Sequence, residues 1–231
     1  MTARRWGNTG SLLGNLIPLA IGFAISPVPV IAVILMLSSE GALANAVLFD
    51  IGWLSSIIAT SAVFLLCFGS RTISENEATG TAGAALRAAL GILLLLLAGR
   101  RFIQRRKAIP QKQPRLLQSI ESVGAPAALG IGAATVVLNP KNLVLLLSAL
   151  SQVIQTGAST GTNVVALAIF TLVGSIGVLL PLAIYVIFRE KASAILGSWN
   201  AWLTAHNSTV MMYLLLVLGI LLVVKGILGL V

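Results

Sequence analysis

Acid is scarce in this chain. Of its 231 residues only 9% are charged, six Asp or Glu against fifteen Lys or Arg, whereas ordinary soluble domains are about a quarter charged. Cys67 is the only cysteine, which excludes an intramolecular disulfide, a CxxC redox pair and a thiolate metal cluster. His206 is the only histidine and reads as a loop residue, leaving nothing for a His-based catalytic base or a His-rich metal site. No phosphate-binding P-loop signature occurs, so the chain is not expected to hydrolyse ATP. It is expected to be no enzyme and to need neither metal nor cofactor. What is abundant is apolar: 58% of residues are hydrophobic and the mean hydropathy is +1.02. In lipid, backbone polar groups must be satisfied inside the segment, and here that means helices. The expected fold is therefore an all-α, polytopic membrane protein of one domain. The net charge of +9 raises nucleic acid as a partner, but basic residues gathered in cytoplasmic loops account for it without one.

Six apolar spans can be drawn, at about 12–38, 42–69, 82–103, 124–154, 161–188 and 209–230, each at or above the roughly 20 residues that a crossing needs. The N-terminal Arg4-Arg5 and its apolar run resemble a signal peptide, but the run is long enough to span. Orientation follows from basic residues. Arg100, Arg101, Arg105, Arg106, Lys107, Lys112 and Arg115 between spans 3 and 4, with Arg189 and Lys191 between spans 5 and 6, outnumber Arg4, Arg5, Arg71, Arg87 and Lys225 by nine to five. The first set is expected on the cytoplasmic side of the plasma membrane, with both termini outside. The polar stretch 104–123, with Pro110 and Pro114, reads as a linker between two three-helix halves, with lipid headgroups as a potential contact. Glu40, at the turn between spans 1 and 2, reads as solvated. In Arg189–Asn207, Ile195, Leu196, Trp199, Trp202 and Leu203 recur at helical spacing among polar residues. This predicts either an amphipathic helix lying in the interface or a connector anchored by tryptophan, ahead of the last span.

Two spans carry helix-breakers. Leu138-Asn139-Pro140-Lys141-Asn142 places a charge and a proline inside an apolar run, and Asn139 with Pro140 has the form of a cap followed by a first helical residue. Ile25-Ser26-Pro27-Val28-Pro29 repeats the device in the first half. With Pro27 laid over Pro140, Ser26 falls on Asn139, and the apolar residues 31–35 fall on 144–148. Further on, a glycine-bearing, small-residue span follows in each half: Gly52-Trp53-Leu54-Ser55-Ser56 in the first and Gly174-Ser175-Ile176-Gly177 in the second. A copied unit of three spans inserts upside down, and inverted halves with broken helices at the midplane recur in secondary transporters. The expectation is a first repeat at 12–103 and a second at 124–230, with spans 1 and 4 broken and central.

These spans, the Ser-Pro-Val-Pro and Asn-Pro-Lys-Asn breaks and the basic central loop resemble the LysE-type exporter superfamily, and within it the glycolipid-addressing branch of actinobacteria. The resemblance implies a six-helix exporter of inverted halves that moves cell-envelope lipid outward. Members of the superfamily also export amino acids and metal ions, so it does not fix the substrate.

The residues themselves allow several readings. Lys141 beside a helix N-terminus puts two positive features together, which favours an anion there. That anion is either a substrate group, held with Asn139, Asn142, Pro140, Ser26, Pro27 and Pro29 around it, or the carboxylate of Asp50, the only acid well inside a span. Asp50 is alternatively a coupling-proton carrier. Ser55, Ser56, Thr60 and Ser61 line a path or pack helices. The expected partners are an anionic lipid, or a small anionic or zwitterionic solute, the surrounding membrane lipids, and a second copy of the chain in a homodimer. A scaffold subunit of a separate lipid-export machine is the remaining alternative. Replacing Lys141 by Met is expected to spare folding and abolish export.

Overall fold

The computed structural model describes residues 2–39, 41–68, 78–106, 124–156 and 158–229. Glu40, Arg71 and residues 107–123, which hold most of the expected basic linker, lie outside the described residues. The elements are α1 (Thr2–Ala24), α2 (Pro27–Leu37), α3 (Ala42–Phe68), α4 (Ala78–Arg106), α5 (Ala125–Val137), α6 (Pro140–Gln155), α7 (Thr160–Phe188), a 3-10 turn (Arg189–Lys191) and α8 (Ala192–Leu228).

Both expected breaks are present, and their chemistry is local. Pro27 begins α2 after an extended Ser26, and Pro140 begins α6 after an extended Asn139 whose side chain accepts the Lys141 N–H. Proline at the first helical position spends no hydrogen bond, because that N–H has no intrahelical acceptor. The chain bends by 48° between α1 and α2 and by 66° between α5 and α6. Between α2 and α3 the reversal is tight. Ser38 and Ser39 return their hydroxyls to the carbonyls of Ile34 and Met36, and Gly41 takes φ +75, a left-handed backbone that glycine adopts without steric cost.

Among the described residues, three helical stretches are long and apolar enough to cross a membrane, Ala42–Phe68, Gly83–Gln104 and Thr160–Leu228, or five if each bent pair counts as one. The last stretch is interrupted at Arg189, where φ is +44.

The segment 189–207 departs from expectation. It is neither a separate interfacial helix nor a connector: after one 3-10 turn it becomes the first half of a continuous 37-residue α8. His206 correspondingly lies on that helix, not in a loop, stacked on Trp202. No proline falls between Ala192 and Leu228, so the polar residues Ser198 to Ser208 do not stop the helix. At 1.5 Å per residue α8 is about 55 Å long, well beyond the ~30 Å hydrocarbon core.

Packing relies on backbone approach, as expected where lipid gives no hydrophobic drive between helices. A Cβ on Gly52 would lie 2.0 Å from the Leu129 carbonyl oxygen, and one on Gly132 2.0 Å from that of Phe49, so α3 and α5 touch backbone to backbone. Gly177 does the same for α7 against Ala24 of α1, and Gly91, Gly219 and Gly226 for α4 against α8. Phe23 fills the centre, tilted against Trp53 and Phe170 at 5.2 and 5.5 Å between ring centroids.

Candidate functional site

The two breaks meet. Asn139 Nδ2 donates to Ser26 Oγ at 3.4 Å, and the Lys141 ammonium donates to the carbonyl oxygens of Gly22 at 2.7 Å and Ile25 at 2.9 Å. The carbonyls are free for a reason written in the sequence. In an unbroken helix the residue-29 N–H would serve Ile25, but Pro29 has none. The Ser26 N–H, which would serve Gly22, instead donates to Ala24 at 2.9 Å. The prolines of the first half thus open carbonyls at the C-terminal end of α1, and the lysine of the second half closes them. A cation at a helix C-terminus is also the favourable sign for the helix dipole.

This changes the account of Lys141. Its side chain is 1% exposed and is compensated by backbone, not by Asp50. The expected alternative of a Lys141–Asp50 ion pair does not form, because the lysine reaches across to α1 while both Asp50 oxygens stand buried without any hydrogen-bond partner. Two of the three N–H groups of Lys141 are used, and the third has no acceptor among the described residues.

The other expected site residues divide. Ser26, Pro27 and Pro29 are buried at the junction and Asn139 is half-buried beside it, whereas Pro140 is exposed. Asn142 is fully buried but turned away: its Nδ2 donates to the Thr135 carbonyl of α5 at 3.2 Å, and its Oδ1 is unpartnered. Of the hydroxyls on α3, Ser55 is exposed, while Ser56 donates to the Ala133 carbonyl at 3.0 Å and ties α3 to α5.

Sequence reasoning missed several polar contacts. Trp53 Nε1 donates to Ser175 Oγ at 3.0 Å in the core. Arg87, counted only as an edge charge, reaches Gln155 of α6, and Lys225 donates to Asn15 Oδ1 at 2.5 Å. Gln152 is buried with both side-chain polar atoms unpartnered. A polar residue within an apolar run was the available signal, but nothing in the run says which helix it faces.

The family model SfLAP, described as Sap, sulfolipid-1-addressing protein, matches residues 16–228, and the chain belongs to that family. No curated protein and no solved structure matches the chain.

Proposed function

We propose that this member of the Sap family is a secondary transporter that exports or flips an anionic cell-envelope glycolipid across the plasma membrane. The family description names a sulfolipid, and we carry that over as the class: a lipid whose head bears a negative sulfur oxyacid. The observation that carries the reading is the buried Lys141 ammonium at the meeting of two half-helices, with one N–H unspent. An oxyanion suits an α6 N-terminus, where backbone N–H groups and the dipole both favour negative charge. Lys141 then exchanges the carbonyls of Gly22 and Ile25 for the head as it passes. Asp50, ionisable and unpartnered, carries the coupling proton.

Inverted halves are part of this proposal, and one hydrogen bond supports them. Ser26 and Asn139 are superposed by the repeat alignment, and the two are bonded to each other. Equivalent residues meet when they lie near a two-fold axis. Exchanging α1 with α5, α2 with α6, α3 with α7 and α4 with α8 also turns the α1–α7 packing into α5–α3, α2–α8 into α6–α4, and α2–α7 into α6–α3, all of which occur. Reading α7 and α8 as separate crossings on either side of Arg189 gives six spans. Kinship with the LysE-type exporters belongs to the same proposal. A second reading has one observation in its favour: Lys141 already satisfies a helix end, as it would in a non-transporting accessory subunit.

The test is the purified chain in liposomes, with leaflet-selective chemistry reporting the movement of anionic lipids and with an amino acid efflux arm beside it. The expected result is accelerated movement of anionic lipid, partly retained by Lys141→Arg and lost in Asp50→Asn. Amino acid efflux without lipid movement would favour a small-solute exporter. No movement of either would leave the accessory reading.

A further inference from the structure

Two cavities flank the central junction. The first, about 420 Å³, runs from Ile25 and Ser26 past Leu180 to Trp199, Trp202 and Leu203. The second, about 410 Å³, runs from Val137 and Ser56 past Thr60 and Leu147 to Phe64 and Cys67. Both fall in the range of ligand pockets, about 300–1,000 Å³.

They are counterparts. One is built on the α1–α2 break and α7, the other on the end of α5, α6 and α3, and the exchange of halves carries these elements onto one another; α8, which closes the far side of the first, has no counterpart in the second lining. They also occupy opposite halves of the bundle. From the junction, α2 runs to the end that carries the α2–α3 turn, where α7 finishes and α8 starts, and the first cavity extends that way to Trp199 and Trp202. α6 runs from the junction to the other end, where α3 finishes, and the second cavity extends that way to Cys67 in the last turn of α3.

The walls select the occupant. Both linings are overwhelmingly apolar, and their hydroxyls are largely engaged: Ser26 receives Asn139 and Ser56 serves Ala133. A small polar solute finds little to orient it there, whereas hydrocarbon needs no polar contact. Trp199 and Trp202, 37% and 55% exposed, close the far side of the first cavity with Leu203, and their rings offer broad apolar faces to a chain. Ile25 lines the first cavity, and its carbonyl holds Lys141, so the cation lies one residue behind the wall.

We infer that these cavities are paired acyl-chain sites, one in each leaflet, that hold the hydrocarbon of the anionic lipid before and after its head crosses the Ser26–Asn139 junction. This rests on the transport reading for direction, but not for binding.

The experiment puts the full chain in phosphatidylcholine nanodiscs containing a phosphatidylglycerol with a diazirine on one acyl chain, and maps the crosslinked peptides. The expected pattern is crosslinking confined to the two linings: 24–30 and 177–203 for the first cavity, and 56–68, Ala59 among them, with Val137 and Leu147 for the second. Leu180→Trp should lose the first and keep the second, and Ala59→Trp should do the reverse. Leu180→Phe and Ala59→Phe repeat the block if a Trp variant does not fold. Crosslinks spread over the exposed faces of α4 and of α8 beyond Leu203, as ordinary surrounding lipid would give, overturn the inference, and so does a pattern that the cavity-filling variants leave unchanged. Confined crosslinks together with a liposome assay that shows no movement support the chain sites and overturn the transport reading alone.

Discussion

Lys141→Met is expected to destabilise the fold as well as block export, which revises what the sequence suggested. The perturbation removes two hydrogen bonds from an ammonium to Gly22 and Ile25, 2.7 and 2.9 Å long, and methionine offers no donor in return. In water-soluble proteins a hydrogen bond to a charged group contributes about 1.5–3 kcal/mol. Hydrogen bonds between helices in a membrane average about 0.6 and reach about 1.7 kcal/mol. The bonds here are short, charge-assisted and buried, so the upper membrane figure is the better guide, and the pair comes to roughly 2–4 kcal/mol. The cost of burying lysine does not offset this in full, because separated helices still hold Lys141 in lipid. Reversible unfolding by SDS titration in mixed micelles measures the difference, with the fluorescence of buried Trp53 as the signal. Lys141→Arg, which keeps a cation but must fit a wider planar group, should lose less than Lys141→Met. If Lys141→Met unfolds within about 0.5 kcal/mol of the parent, the size of an ordinary surface change, the ammonium is not what closes α1. Since no ion pair joins Lys141 to Asp50, adding Asp50→Asn should rescue neither stability nor export.

Gly52→Leu should destabilise by about 1–3 kcal/mol or more, since overpacking here meets a backbone oxygen that cannot turn aside, whereas Gly14→Ala, whose new Cβ meets nothing within 4 Å, should be neutral or stabilising in the same titration. In a Cys67→Ala background, Ser159→Cys should react with an impermeant thiol reagent in intact cells, and Glu190→Cys only after lysis. The reverse pattern would overturn the orientation drawn from the basic residues.

The sequence by itself determined the class of this protein and the places where its helices break. Six acids in 231 residues and the long apolar runs force helices in lipid, and Pro27 and Pro140 stop a helix wherever they sit, because proline lacks the N–H that a helix interior needs. Composition and covalent chemistry act locally, so they can be read without coordinates. The pairing of Ser26 with Asn139 was legible only as an alignment. That the two are in contact, and that Trp53 meets Ser175, depended on how the halves docked. What covers the breaks was not legible either. A lysine beside a helix N-terminus reads as a call for an anion, yet Lys141 found the carbonyls that Pro29 and the turned Ser26 N–H had left open 116 to 119 residues earlier in the chain. Likewise α8 runs through the polar stretch 198–208 that looked like a connector, because no breaker stops it and packing against α4 and α2 holds it. Which carbonyl a cation reaches, and which helix face a buried Asp50 meets, are long-range facts. Only the packed bundle supplies them.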